Sequence, residues 1–146
     1  MQMTGRRAVL AVCLASLSGA LATTPAHADD TPNPCDALKR IVAAAPNFAS
    51  LSAIDGRAIA LSHGDDVKCA ASQTNYRCTW TPRGGSGAEA LQGVAADIAS
   101  CLPDATHDQN SPARQHFYLG ARGARTEISV AQAGSNKLTL EIYGSR

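Results

Sequence analysis

Four cysteines, Cys35, Cys69, Cys78 and Cys101, constrain this chain more than any other feature, because the sequence also says that they are exposed to an oxidising environment. A fifth, Cys13, falls in an N-terminal stretch built like an export signal. Arg6 and Arg7 supply the positive start, residues 8–22 are uncharged and mostly apolar, and Ala26-His27-Ala28 supplies the small-residue cleavage site before Asp29-Asp30. The apolar run, about 15 residues, is shorter than the ~20 that span a bilayer, so no stable membrane anchor is expected after cleavage. The expected organisation is a cleaved secretory signal over 1–28, a flexible mature terminus over 29–34 and a single domain over 35–146, periplasmic or secreted.

Four cysteines can pair in three ways. Cys69 and Cys78 flank the polar stretch Ser72-Gln73-Thr74-Asn75. A hairpin with Gln73-Thr74 at its tip sets them directly opposite each other, as a non-hydrogen-bonded pair, where side chains approach most closely. That pairing leaves Cys35 for Cys101. No C-x₂₋₄-C knuckle occurs among the spacings, so no zinc site is expected of the cysteines.

Two helices have defined beginnings. Asn33 as N-cap, Pro34 at the first helical position and Asp36 in the first turn open a helix over 35–45, with Leu38, Ile41, Val42 and Ala45 at helical spacing. Ser86 and Glu89 form a capping box ahead of a second helix, whose stripe is Leu91, Val94, Ala95, Ile98 and Leu102, with Pro103 after its end. The remainder reads as strands. Asp55-Gly56 is a type I′ turn signal that predicts a hairpin of 49–54 with 57–62, Phe48, Ile54, Ile59 and Leu61 sharing a face. His63-Gly64-Asp65-Asp66 reads as a turn, followed by the cysteine hairpin of 67–71 and 76–81. Residues 103–113 are polar and read as a mobile connection. Short strands follow at 115–119, 125–131 and 137–143, the last two alternating cleanly, with Ile128, Val130, Leu138, Leu140 and Ile142 inward. The predicted fold is α+β: two antiparallel amphipathic helices, tied by Cys35–Cys101, on one face of an antiparallel sheet, in the order α-β-β-β-β-α-β-β-β.

Composition narrows function mainly by exclusion. The chain carries 13 Lys+Arg against 12 Asp+Glu, and loss of Arg6 and Arg7 with the leader leaves a net charge of about −1. That balance argues against nucleic acid or a polybasic membrane contact. Gly85-x-Gly87-x-x-Ala90 matches a dinucleotide loop only formally, since Glu89 would oppose a pyrophosphate at the helix start and no βαβ unit follows. No cofactor is expected. There is no G-x-S-x-G elbow, and every mature cysteine has a disulfide partner.

Two constellations remain. His63, Asp65 and Asp66 fall in one loop, and Asp104, His107 and Asp108 in another; were the two loops to meet, they could move protons or carry a ligand. The other is the solvent side of the last strands, where His116, Tyr118, Glu141 and Tyr143 alternate with the inward apolar residues. Tyrosine joins a rigid apolar ring to a polar tip and is enriched at protein interfaces. The sequence therefore predicts a binding protein, inhibitor-like, immunity-like or an accessory subunit, that uses this face on another envelope or secreted protein. The alternative is a small periplasmic hydrolase or a metal or small-ligand carrier working through His63, Asp65 and Asp66 and through Asp104, His107 and Asp108.

Overall fold

The computed structural model describes residues 32–144; the leader over 1–28, its cleavage point after Ala28, and residues 29–31 of the expected terminus lie outside them. Helix α1, Pro34–Ala44, starts as its sequence dictates, with Asn33 Oδ1 accepting the Cys35 N–H at 2.9 Å. Helix α3, Gly87–Cys101, starts on a complete capping box: the Ser86 N–H donates to Glu89 Oε2 at 2.7 Å, and the Glu89 N–H donates to Ser86 Oγ at 3.2 Å. Each helix buries the stripe read from its spacing, Leu38 and Ile41 on α1 and Leu91, Val94, Ala95 and Ile98 on α3.

Six strands form one antiparallel sheet: β1 (Gly64–Ala71), β2 (Asn75–Pro82), β3 (Thr106–Ser111), β4 (Arg114–Leu119), β5 (Thr126–Gln132) and β6 (Leu138–Gly144). Their spatial order is β1-β2-β6-β5-β4-β3. The last strand thus enters the middle of the sheet and joins the cysteine hairpin to the β3–β5 meander. Its register builds continuous inward rows, Tyr76–Ile142–Ile128–Phe117 and Cys78–Leu140–Val130–Gln115, with Trp80 opposite Leu138. All of these are buried, in one core shared with α1 and α3. Truncating such a residue, as in Leu140→Ala, costs about 2–5 kcal/mol.

The α+β class, the antiparallel sheet and both disulfides are as the sequence predicts. Cys69 and Cys78 are direct cross-strand partners with Cα atoms 4.1 Å apart, and Cys35–Cys101, 5.1 Å between Cα atoms, links the start of α1 to the end of α3. Trp80 belongs to the core.

Residues 64–66, read as part of a turn, open strand β1 instead; two further local expectations are corrected, and the element order becomes α-α-β-β-α-β-β-β-β. The hairpin expected over 49–62 is instead a turn-rich loop leading into a short helix α2, Arg57–Leu61, which packs against β1 and β2. Gly56 has φ −96°, so no I′ turn forms there. Glycine is required for a different reason: a Cβ at that position would collide with the Tyr76 ring and lie 2.8 Å from Cys78 Sγ. Tyr76 holds the loop, accepting the Gly56 N–H at 2.7 Å and donating to the Ser52 carbonyl at 2.8 Å. Asp55 turns back to accept from the Ser52 N–H at 2.6 Å and from its hydroxyl at 3.0 Å. Phe48 is buried as expected, whereas Ile54 points into solvent. The second correction is β3, formed from the polar stretch read as mobile. It is an edge strand, and the register shift between Asp108 and Ser111 blunts further strand addition there.

Candidate binding face

Helices cover one side of the sheet, α2 against β1 and β2, and α3 against β4 and β5. The other side is an ordered array of side chains in cross-strand rows. One row runs Thr106–Tyr118–Glu127–Tyr143–Asn75 from β3 to β2. The next runs Asp108–His116–Ser129–Glu141–Arg77–Ala70 and reaches β1. The third runs Arg114–Ala131–Thr139–Thr79–Lys68. The four residues singled out from alternation, His116, Tyr118, Glu141 and Tyr143, therefore share this uncovered face and occupy two adjacent rows.

Their surroundings hold them in place. Tyr118 Oη lies 3.3 Å from His116 Nδ1, and the Arg125 guanidinium sits 5.4 Å from the centre of the Tyr118 ring. Glu141 accepts from Asn75 Nδ2 at 2.8 Å and from Arg77 at 3.2 Å. Tyr143 hydrogen-bonds to Glu127, its direct cross-strand partner. Burial, then that hydrogen bond and the carboxylate's charge, push the Tyr143 phenol up to about 12. Between the tyrosines and the arginines the floor drops to small residues. The result is a trough of about 330 Å³ walled by Arg77, Arg114, Glu141 and Tyr143 over Ser129 and Ala131.

The two His/Asp loops do not converge. His63, Asp65 and Asp66 lie at the β1 edge of the sheet, while His107 and Asp108 lie on β3, the opposite edge. Asp65 is held by Arg83, whose guanidinium donates to it at 2.8 and 3.1 Å and to the carbonyls of Leu61 and Gly64. His107 turns inward rather than toward Asp108. Its ring stacks on Phe117, 4.1 Å between centroids, and its Nε2–H donates to Gln115 Oε1 at 2.7 Å, giving a buried amide a partner. Among the described residues no group of three or more His, Cys, Asp or Glu is close enough to hold a metal ion.

His63 has a partner that sequence spacing did not suggest. Its Nε2 lies 3.1 Å from Asp97 Oδ2 on α3. Burial pulls the imidazole below its ordinary pKa, and the Asp97 carboxylate partly opposes that. The pair stands at the mouth of a cleft of about 250 Å³ whose walls include Leu38, Ile59, Val94 and Ile98, beside the Cys35–Cys101 bridge.

Comparison with protein-family models, with curated proteins and with solved structures finds no match for this chain. No helix among the described residues is long and apolar enough to cross a membrane, and the two disulfides suit an oxidising environment.

Proposed function

We propose that this is an exported binding protein, periplasmic or secreted, that inhibits or accompanies another envelope or secreted protein through the uncovered sheet face. The observation that carries this reading is the row in which Tyr118 and Tyr143 flank Glu127, with His116 and Glu141 in the row beside it. Both rings stand on a rigid, disulfide-braced sheet, so little conformational entropy opposes their use in an interface. The test is capture from envelope extract on immobilised mature protein, followed by measurement of affinity for the captured partner. Tyr118→Ala and Tyr143→Ala should each weaken that affinity by about tenfold or more while leaving the protein folded. Retention of full affinity in both variants, or collapse of the fold in both, would refute the assignment.

A second reading, a small hydrolase or ligand carrier, is favoured by one observation, the His63–Asp97 pair beside an apolar-walled cleft. It replaces the two-loop arrangement that the sequence suggested. Turnover of a panel of ester and amide substrates that disappears in His63→Ala, with the tyrosine variants fully active, would select it over the binding function.

A further inference from the structure

The uncovered face is chemically uneven, and its unevenness specifies a partner. In the Arg114–Ala131–Thr139–Thr79–Lys68 row, five consecutive cross-strand positions carry a cation at each end, small residues between and no carboxylate. At ~4.8 Å per strand the two cations are separated by roughly 19 Å, the length of about six extended residues. Arg77 stands in the adjacent row, beside the same small floor, and lines the trough together with Arg114. Glu141 already occupies Arg77 in part, at 3.2 Å. Arg114 and Lys68 are exposed and make no ion pair among the described residues.

We propose that this trough receives an acidic segment of the partner protein, an extended loop with one Asp or Glu side chain placed between Arg114 and Arg77 and a second acid reaching Lys68. The proposal rests on the uncovered face being the contact surface. An arginine fork binds a carboxylate through two parallel hydrogen bonds, and a floor of alanine, serine and threonine lets a partner backbone approach closely. The neighbouring carboxylates decide between classes of anion. Glu127, Glu141 and Asp108 occupy the two rows beside the cationic one, so a polyanion with charge at every repeat would meet repulsion across most of the face. A short segment whose two acids stay in line with Arg114 and Lys68 keeps its charges on the row that carries no carboxylate.

The probe is a rhodamine-labelled peptide with two spaced acids, Glu-Ser-Ser-Ser-Ser-Glu, with hexaglutamate and heparin as the generic polyanions, followed by fluorescence anisotropy on the mature protein. The two-acid peptide should bind at low salt, weaken as salt rises, and lose about tenfold or more in affinity with Arg114→Glu and severalfold with Lys68→Glu. Circular dichroism of both variants should be unchanged, because both side chains are exposed. Absence of peptide binding, equal binding by Arg114→Glu, or heparin or hexaglutamate binding as tightly as the two-acid peptide would each overturn the proposal. Once a partner is captured, the two levels separate. Loss with Tyr143→Ala but not with Arg114→Glu rejects the acidic segment and leaves the binding face standing; indifference to both rejects the face itself.

Discussion

Tyr143 and Glu127 face each other across β6 and β5 on the uncovered side of the sheet, phenol hydroxyl to carboxylate. The pairing delays ionisation of Tyr143 from 10.0 to about 12, burial being the larger cause. A phenol whose folded pKa is raised contributes stability below the unfolded value and loses it as pH climbs through the folded one. Stability should therefore fall between about pH 10 and 12, and Tyr143→Phe should flatten part of that decline. Tyr76, also shifted upward by burial, should account for a further part. Urea unfolding measured across this window checks both statements.

At the acid side the sign reverses. The folded pKa of His63 lies below 6.5, so between that lowered value and the unfolded one the unfolded chain binds more protons. Stability contributed by the neutral imidazole should be fully present above about pH 6.5 and decline as pH falls through the folded pKa. Asp97→Asn removes the interaction that holds the pKa up, so an NMR titration of the His63 ring should shift to still lower pH. A shift upward would show that Asp97 is not its electrostatic partner.

Gly56→Ala should destabilise by about 1–3 kcal/mol, because the methyl group has to displace the Tyr76 ring or Cys78 and alanine is the poorer residue at a helix N-cap. Tyr76→Phe should cost a comparable amount by leaving the Gly56 N–H without its buried acceptor. Denaturant midpoints of the two variants against the native chain decide it.

The two bridges should differ in weight. They close loops of 66 and 9 residues, for which chain entropy gives about 4 and 2.5 kcal/mol respectively. Replacing Cys35 and Cys101 by alanine should therefore lower stability more than replacing Cys69 and Cys78. Equal losses would mean that local packing around each bridge, rather than restriction of the unfolded chain, sets its contribution.

What could be read from sequence follows the range of the interactions involved. The caps at Asn33 and Ser86 and the hairpin symmetry of Cys69 and Cys78 are local, and each stands in the structure as its spacing implies. Alternation also placed His116, Tyr118, Glu141 and Tyr143 on one face, because a strand's side chains change sides at every residue. Residues 49–62 were misread because Asp55-Gly56 has the composition of a turn while its glycine answers to a tyrosine two elements away. Strand β3 was invisible because an edge strand need not alternate; His107 faces inward, and its stacking on Phe117 substitutes for an aliphatic contact. The cationic row and the His63–Asp97 pair depend on register and packing between distant segments, which no local pattern encodes.

The central position of β6 governs the order of assembly. Within the sheet of the described residues, its two edges join the β1–β2 hairpin to the β3–β5 meander. Until residues 138–144 arrive, the two groups of strands have no common border, and each leaves a long unpaired edge. Such a chain cannot complete its sheet progressively from the N-terminal end; it closes in one late, non-local step, slow by the measure of contact order. A polypeptide of this design becomes a rigid body only when its final strand slots between the waiting halves.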